Sequence, residues 1–379
     1  MNLLKFGIAG YGKMGKIREQ TISDSQNASL VAIFEITDYE CKEKSTHKCN
    51  SFDELINLDI DAVIISSYVS VAAEYVIRAL KSGKHVFCEK PPAMNSNEMI
   101  EVIQAEKSSG KVLKYGFNHR FHYSVMEAKK HINNNSLGKL LWMRGVYGKA
   151  GSIDFHDNWR NYKNFSGGGI LLDQGIHMLD LFRYFTNDEF ECLSSHLTSS
   201  FWDIECEDNA FLTLKSVNNI VATLHSSATQ WRHKFLLEMT FENGYINLDG
   251  ILSSSRSYTP ETMTIGMREF EDVTFAMGKP KESKTYYEFD ESWNYELNEF
   301  IDAINKVSNL EHGTSNDAFE IMKLIDSIYK NKKKVKKNMK IIAMVPARMG
   351  SKRVKSKNLR LLDGKPLIEH VLGTLNRVK

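Results

Sequence analysis

A lysine, an aspartate and a histidine occur in two short segments whose residue types suit proton transfer. Lys90 precedes a proline shortly after the apolar run His85–Cys88, at the carboxyl end of an expected buried strand. Asp173 and His177 follow a run of three glycines, and their spacing predicts that both lie on one face of a helix, with Asp180 one turn further on. A lysine that binds a substrate hydroxyl and a histidine that exchanges its proton are sufficient groups for hydride transfer at a carbinol carbon.

Both segments also have a structural interpretation. Glu89 and Lys90 would form an ordinary surface pair after a strand, and a histidine on such a helix is commonly a satisfied core residue. The glycines before Asp173 indicate close approach by backbone or ligand, which favours the functional interpretation. A metal site formed by Asp173 and His177 would lack an evident third ligand, so we predict no metal.

A glycine-rich turn near the N-terminus predicts a dinucleotide site. Gly10, Gly12 and Gly15 follow an apolar strand and open a helix, which is the context that dinucleotide binding requires of this spacing. The alternative is an ordinary structural turn. Glu35, at the end of the second strand, suits ribose hydroxyls and repels a 2′-phosphate, so the sequence favours NAD(H) over NADP(H). The turn is completed by Tyr11, Lys13 and Met14.

Alternating apolar and helical segments surround this turn. Strands that alternate with helices predict βαβ units and a doubly wound parallel sheet, here a Rossmann domain over residues 1–120. The predicted strands are Leu3–Ala9, Leu30–Phe34, Ala62–Ile65, His85–Cys88 and Val112–Phe117.

Period-two alternation replaces this pattern after residue 121 and predicts an α+β domain with a large, mostly antiparallel sheet over 121–331. Two late helices, Ser292–Lys306 and Asn316–Asn331, are expected to close that domain. Residues 332–338 form a basic linker, and 339–379 begin another α/β architecture. The alternating segments are Leu140–Tyr147, Ala210–Lys215, Ile220–Ser226 and Phe235–Phe241.

Composition excludes several classes of protein. The 379 residues carry a net charge of only +2, which gives no extended positive field for nucleic acid. The five cysteines are scattered without CxxC pairs, which indicates reduced thiols. No apolar run approaches the ~20 residues of a membrane span. We therefore expect a cytoplasmic protein that binds neither membrane nor nucleic acid.

Taken together, these segments resemble the glucose–fructose oxidoreductase/inositol dehydrogenase family, written Gfo/Idh/MocA, over residues 1–335. The resemblance rests on Gly10–Gly15, Glu89-Lys90-Pro91, Gly116–Phe121 and Gly167–Asp180. It implies NAD(P)-dependent chemistry on sugars or cyclitols, and an open sheet used for homo-oligomerisation as a dimer or tetramer.

The resemblance also implies roles for single residues. Lys90, Asp173 and His177 match the family's lysine–aspartate–histidine catalytic set. Members commonly line the substrate and nicotinamide pocket at the positions held here by Asn118, Arg120, Trp159 and Arg160, and Asp173 and His177 would also contact substrate.

One loop departs from the family pattern. The usual Thr-Pro-Asn-x-x-His is here Ser67–Ala72, which leaves Ser66 and Ser67, together with Glu89 and Lys90, as the expected cofactor contacts beyond the glycine turn. The altered loop keeps open the alternative of a dinucleotide-binding homologue without catalysis.

Residues 339–379 resemble the start of cytidylyltransferases that make CMP-sialic acid and related nonulosonates. Such a segment places charge-assisted donors on a triphosphate. Roughly 40 residues are too few for a nucleotidyltransferase domain, so we expect a truncated or fused segment, or part of a bifunctional protein with an accessory oxidoreductase. By association, the oxidoreductase would act in nonulosonate or other surface-glycan sugar synthesis. The candidate phosphate-binding residues are Arg348, Ser351, Lys352, Arg353 and Lys357.

Overall fold

The computed structural model describes residues 3–41, 45–151, 155–268, 281–335 and 357–375. The chain divides into two compact units, Met1–Lys332 and Lys333–Lys379. No helix within the described ranges is both long and apolar enough to cross a membrane. All five cysteines are free thiols.

A six-stranded parallel sheet with the strand order β3-β2-β1-β4-β5-β6 forms the first layer of the larger unit. The order reverses beside β1, and in such sheets ligands bind in the crevice at the carboxyl ends of the strands flanking that point. The predicted Rossmann architecture is confirmed. The strands are β1 Leu4–Ala9, β2 Ala28–Phe34, β3 His47–Cys49, β4 Ala62–Ile65, β5 His85–Glu89 and β6 Leu113–Gly116, and the helices are α1 Lys13–Asp24, α2 Phe52–Asn57, α3 Val69–Lys81 and α4 Ser96–Ser109.

An eight-stranded sheet follows, in the order β14-β13-β12-β11-β7-β10-β9-β8. Only β7 and β10 pair in parallel, so the predicted mostly antiparallel sheet is also confirmed. The strands are β7 Leu140–Ala150, β8 Phe190–Thr198, β9 Asn209–Ser216, β10 Val221–Ser227, β11 Thr229–Phe241, β12 Gly244–Asp249, β13 Glu261–Met267 and β14 Glu282–Tyr287, and the helices are α5 Tyr123–Asn133, α6 Lys163–Ser166, α7 Ile176–Thr186, α8 Ser292–Ile304 and α9 Ser315–Val335.

The helix α8 differs from the sequence expectation, because it packs on the parallel sheet. Leu297, Phe300 and Ile301 are buried in one apolar cluster with residues of β1. The ring of Phe300 lies 6.3 Å from that of Phe6, measured between centroids. The chain therefore returns to its first sheet after completing the second, and the expectation that both late helices close the second domain is wrong for α8.

A buried arginine fastens α8 to that sheet. Arg18 donates from Nε to Glu89 at 2.6 Å and from Nη2 to Glu296 at 2.6 Å. Its guanidinium also lies over the rings of Phe87 and Trp293. One cation between two buried carboxylates joins α1, β5 and α8.

The smaller unit is described over residues 357–375. A hairpin of β15 Leu361–Leu362 and β16 Lys365–Pro366 precedes α10 Leu367–Leu375. Its turn is Asp363-Gly364, both with positive φ, which is typical of tight two-residue hairpins. The predicted phosphate-binding residues Arg348, Ser351, Lys352 and Arg353 lie outside the described residues, and Lys357 begins a short 3-10 helix.

Candidate active site

A π-helical turn, Leu171–Gly175, precedes α7 and carries Asp173. Turns of this kind are frequent at functional sites. The Asp173 carboxylate contacts basic side chains whereas His177 packs against another histidine, and the charge of Asp173 still acts on His177. Asp173 thus lies in a π-helical turn where the sequence predicts an α-helix.

The glycines before this turn allow other parts of the protein to pack closely against its backbone. A Cβ on Gly168 would lie 2.1 Å from the Tyr329 hydroxyl, and one on Gly169 would lie 2.2 Å from the Glu207 carbonyl oxygen. The close approach inferred from the sequence is thus made by the protein itself.

Lys90 connects the end of β5 to the π-helical turn. Its Nζ donates to the backbone carbonyl of Asp173 at 2.5 Å and lies 3.6 Å from the Asp173 carboxylate. Burial lowers the pKa of Lys90, with Asp173 opposing that effect. The structure thus brings Lys90 and Asp173 into contact, and the Lys90 charge also acts on His177, the third residue proposed to be catalytic.

Three cations surround the Asp173 carboxylate. Lys149 donates to Oδ2 at 2.6 Å, and the Nε of Arg160 lies 3.3 Å from Oδ1, on the side of Lys90. Burial alone would raise the pKa of Asp173, but Lys149, Lys90 and Arg160 outweigh it and hold that pKa well below its usual range. Asp173 therefore stays ionised and positions cations, and it is a poor proton acceptor.

Sequence reasoning missed Lys149. It lies one residue before the end of β7, and the only signal in the sequence is a basic residue at the carboxyl end of a half-buried strand.

His177 packs face to face on His119, with ring centroids 3.8 Å apart and an angle of 15° between the rings. Burial lowers the pKa of both histidines well below the usual range. Nδ1 of His177 is buried and has no hydrogen-bond partner within the described part of the chain. A neutral imidazole with an unpaired nitrogen is chemically able to accept a proton from a hydroxyl group.

Asn118, a predicted pocket residue, contacts the ring of His119. Asn118 Oδ1 lies 3.1 Å from Nδ1 of His119, and the Tyr147 hydroxyl lies 3.0 Å from Nε2. Because an amide oxygen only accepts, Nδ1 of His119 donates to Asn118 and Nε2 accepts from Tyr147, which together orient the His119 ring. Asn118 therefore helps to hold the ring that stacks on His177.

The guanidinium of Arg120 is buried in an ion pair. It donates to Asp180 at 2.9 and 2.6 Å, and to Asp317 at 3.2 Å. Its hydrogen bonds thus go to these carboxylates and not to the group formed by Lys90 and Asp173. The structure gives Arg120 a packing role where the resemblance implied a pocket role.

Trp159 and Arg160 form one wall beside Asp173. The Arg160 guanidinium lies 4.4 Å from the centroid of the Trp159 ring. That ring packs edge-on against Tyr68, at 4.9 Å between centroids. Tyr68 belongs to the loop that departs from the family pattern, so the altered loop supplies an aromatic contact to the wall.

The glycine turn has the geometry of a dinucleotide cradle. Gly10 has a φ of +92°, and a Cβ there would lie 2.6 Å from the backbone of Ser66. A Cβ on Gly15 would lie 2.3 Å from the Gly10 carbonyl oxygen, whereas one on Gly12 would meet nothing within 4 Å. Since α1 begins at Lys13 without a side-chain cap, its first N–H groups can bind a phosphate.

Glu35 lines a cavity of about 670 Å³ at the end of β2. One carboxylate oxygen accepts from the Tyr11 N–H at 2.5 Å and the other from the Ile36 N–H at 2.7 Å. The two basic residues that line the cavity are engaged, since Arg78 pairs with Asp53 and Lys48 donates to the Tyr39 carbonyl. The described cations that line the cavity are thus already paired, and the Glu35 carboxylate offers acceptor oxygens of the kind that bind ribose hydroxyls.

Other predicted cofactor residues bind the protein itself. The Ser66 hydroxyl donates to the Gly10 carbonyl at 2.6 Å, and the Ser67 hydroxyl donates to the Ala9 carbonyl at 3.1 Å. Both therefore hold the glycine turn in place. Glu89 is directed to Arg18.

The sequence matches known families in three segments. Residues 4–117 match a family described as an oxidoreductase family with an NAD-binding Rossmann fold, and residues 125–247 match the GFO/IDH/MocA C-terminal domain. Together these two matches cover more than half of the chain. Residues 342–379 match a cytidylyltransferase family.

Several curated proteins are similar to this chain. Myo-inositol 2-dehydrogenase from Thermotoga maritima is 32% identical over 194 residues, covering 50% of this chain and 56% of that protein. D-glucoside 3-dehydrogenase from Escherichia coli is 29% identical over 239 residues, covering 58% and 67%. The 2,7-anhydro-N-acetylneuraminate hydratase of Escherichia coli is 25% identical over 257 residues, covering 65% and 68%. The chain thus spans about half to two thirds of the length of these relatives.

Solved structures share the fold. A levoglucosan dehydrogenase in complex with NADH and levoglucosan has a TM-score of 0.75 at 20% identity, covering 87% of this chain and 97% of that one. A 3-ketoreductase from Actinomadura kijaniata, in complex with NADP and TDP-benzene, has a TM-score of 0.71 at 16% identity, covering 87% and 98%.

Proposed function

The chain belongs to the GFO/IDH/MocA family of oxidoreductases, and from this membership we propose that it transfers a hydride between NAD(H) and a hydroxyl or keto carbon of a sugar or sugar nucleotide. The observation that carries the proposal is the contact between Lys90 and Asp173. It joins the carboxyl end of the dinucleotide-binding sheet to the π-helical turn that leads into His177.

The cofactor would be held by the residues around the glycine turn. Gly10–Gly15 and the start of α1 would bind the pyrophosphate, and Glu35 would bind the adenosine ribose. When bound, NAD(H) supplies or accepts the hydride. The preference for NAD(H) is supported by the carboxylate of Glu35 and by the engaged state of Lys48 and Arg78.

Lys90 and His177 would handle the substrate oxygen. The Lys90 ammonium is held by the Asp173 carbonyl and has further N–H groups for a substrate oxygen. Its positive charge favours loss of the hydroxyl proton during oxidation, and the neutral ring of His177 would accept that proton. In the reducing direction His177 would return the proton to the oxygen.

Asp173 would act through its neighbours. Its carboxylate fixes Lys149 and Arg160, while its carbonyl fixes Lys90. Because it stays ionised among three cations, we assign it a positioning role.

The pathway remains a separate part of the proposal. Nonulosonate or other surface-glycan sugar synthesis is supported by the cytidylyltransferase match at 342–379 and by the relative that acts on 2,7-anhydro-N-acetylneuraminate. The same match favours a second candidate function, cytidylyl transfer to a nonulosonic acid.

The test is a substrate screen with the purified full-length chain. NADH binding is titrated first, and NADH absorbance is then followed with free sugars, cyclitols, nonulosonates and nucleotide sugars in both directions. Turnover with a member of the panel is the expected result. Tight NADH binding without any turnover would instead favour a non-catalytic homologue. Pyrophosphate release from CTP with a nonulosonic acid would support the second candidate.

A further inference from the structure

Among the described residues, the group around Asp173 carries more positive charge than the one carboxylate in contact with it balances. Lys90, Lys149 and Arg160 all lie within 3.6 Å of Asp173. The side chain of Lys149 is only 21% exposed, whereas that of Arg160 is 38% exposed. Uncompensated charge on a side chain as little exposed as that of Lys149 is costly, so an additional negative partner would stabilise the group.

Glu207 is the other carboxylate that lines the small cavity beside Asp173. It accepts from the N–H groups of Gly169 and Leu171 and from the Tyr329 hydroxyl, at 2.8 to 3.2 Å. Its hydrogen bonds therefore go to neutral donors, and no bond joins it to Lys149 or Arg160 within the described residues. Glu207 therefore forms no ion pair with Lys149 or Arg160 that would balance their charge.

Lys149 and Arg160 also have N–H groups that form no hydrogen bond within the described residues. Lys149 has three N–H groups and bonds only Asp173 among the described side chains. Arg160 Nε lies 3.3 Å from Asp173, and neither Nη group forms a hydrogen bond within the described ranges. Its guanidinium is held over the Trp159 ring, so the planar fork is already ordered for two-point binding of an oxyanion.

We propose that Lys149 and Arg160 form an oxyanion subsite beside Lys90, so that the substrate carries a carboxylate or phosphate close to the carbon that exchanges the hydride. The inference rests on the proposed function, because it concerns the same site. It narrows the substrate class from sugars in general to acidic sugars, sugar phosphates or nucleotide sugars.

Calorimetric titration of the NADH-loaded full-length protein tests the subsite with pairs of related sugars, one neutral and one anionic. D-glucose is compared with D-glucuronate in a carboxylate arm and with D-glucose 6-phosphate in a phosphate arm. N-acetylneuraminate is compared with its methyl ester. In at least one arm the anion should bind more tightly than its neutral partner by about tenfold or more. The arm that responds identifies the oxyanion.

Variants separate the subsite from general effects on folding. Lys149→Gln should remove the preference for the anion, while Lys149→Arg should keep it, because the charge rather than the shape of the side chain is required. Lys139→Gln, on an exposed lysine immediately before the same strand, is the matched control and should leave the preference unchanged.

Equal affinity for both members of every pair, including no measurable binding of either, would overturn the subsite. So would an anion preference that survives Lys149→Gln undiminished. The proposed function fails by a different measurement, namely absent NADH binding or absent turnover across the substrate screen. If NADH does not bind, the same titrations are made on the protein alone, so that the subsite is judged independently.

Discussion

The ring of His177 lies parallel to that of His119 at a centroid distance of 3.8 Å, with both rings almost fully buried. Burial holds the pKa of each histidine below its usual range, and the nearby Lys90 cation acts in the same direction. The site thus presents stacked neutral imidazoles beside a cationic lysine. This charge distribution determines how the protein responds to acid.

Acidification should destabilise the protein through these two histidines. A histidine whose pKa is lowered by folding binds its proton more readily in the unfolded chain, so its contribution to stability is complete above about pH 6.5 and declines as the pH falls toward the lowered value. Each histidine can contribute at most about 1.4 kcal/mol per pH unit to this slope. Urea unfolding measured between about pH 7 and 5 tests the effect.

The variant His177→Phe keeps an aromatic ring in the stack and removes one titrating group. Its free energy of unfolding should depend less steeply on pH than that of the unmodified protein. His196→Gln, on an exposed position of β8, is the control and should retain the full pH dependence of the free energy of unfolding. If the free energy of unfolding depended equally on pH in His177→Phe and in the unmodified protein, His177 would not be a source of the acid sensitivity.

Replacing Lys90 should abolish turnover and spare cofactor binding. Lys90→Met removes the charge that favours loss of the hydroxyl proton, and we expect kcat to fall by about 100-fold or more. The Kd for NADH should change by less than about threefold, a free-energy change below about 0.7 kcal/mol. Steady-state kinetics on a substrate found in the screen and NADH titration provide the two readouts.

Lys81→Met, at an exposed position of α3, is the matched control for general effects of the substitution. A Lys90→Met protein with unchanged kcat would remove Lys90 from the chemistry.

The fold and the cofactor end of the site are largely predictable from the sequence because their signals are local. The glycine spacing, the strand before it and Glu35 lie within one βαβ unit, where a few neighbouring residues determine the geometry. Lys90 is predictable for a similar reason, since it follows a buried strand at the edge where ligands bind.

The substrate end depends on contacts between distant segments. Lys149 meets Asp173 only because β7 ends beside the π-helical turn, and neither the turn nor that proximity has a signal in the sequence. For Arg120, the sequence predicts a position near the site, but it does not predict that the guanidinium pairs with Asp180. The packing of α8 on the first sheet likewise depends on Arg18 and Glu296, which are distant in sequence.

Glu35 should determine the preference between the two nicotinamide cofactors. Glu35→Gln removes the charge that repels a 2′-phosphate and retains an oxygen that can accept from the Tyr11 N–H. We expect the ratio of the Kd for NADPH to the Kd for NADH to fall by about tenfold, or ~1.4 kcal/mol. Fluorescence titration with both cofactors measures the ratio.

Glu40→Ser is the control for Glu35→Gln, because Glu40 is exposed and lies near the same strand end. It should leave the ratio unchanged. An unaltered ratio in Glu35→Gln would mean that other residues select the cofactor.

Arg18 should contribute far more to stability than a surface arginine. Arg18→Met leaves Glu89 and Glu296 buried without their cation, and loss of one partner from a buried ion pair costs about 3–5 kcal/mol. Burial raises the pKa of Glu296 to about 7 even with Arg18 present, so the variant should protonate this carboxyl at neutral pH and recover part of the loss as the pH falls. Arg144→Met is the control, because the Arg144 side chain is 60% exposed and an ion pair of such a residue is worth at most about 1 kcal/mol. Urea unfolding at two pH values measures both effects, and equal losses in the two variants would show that the buried arrangement of Arg18 is not what stabilises the contact between β5 and α8.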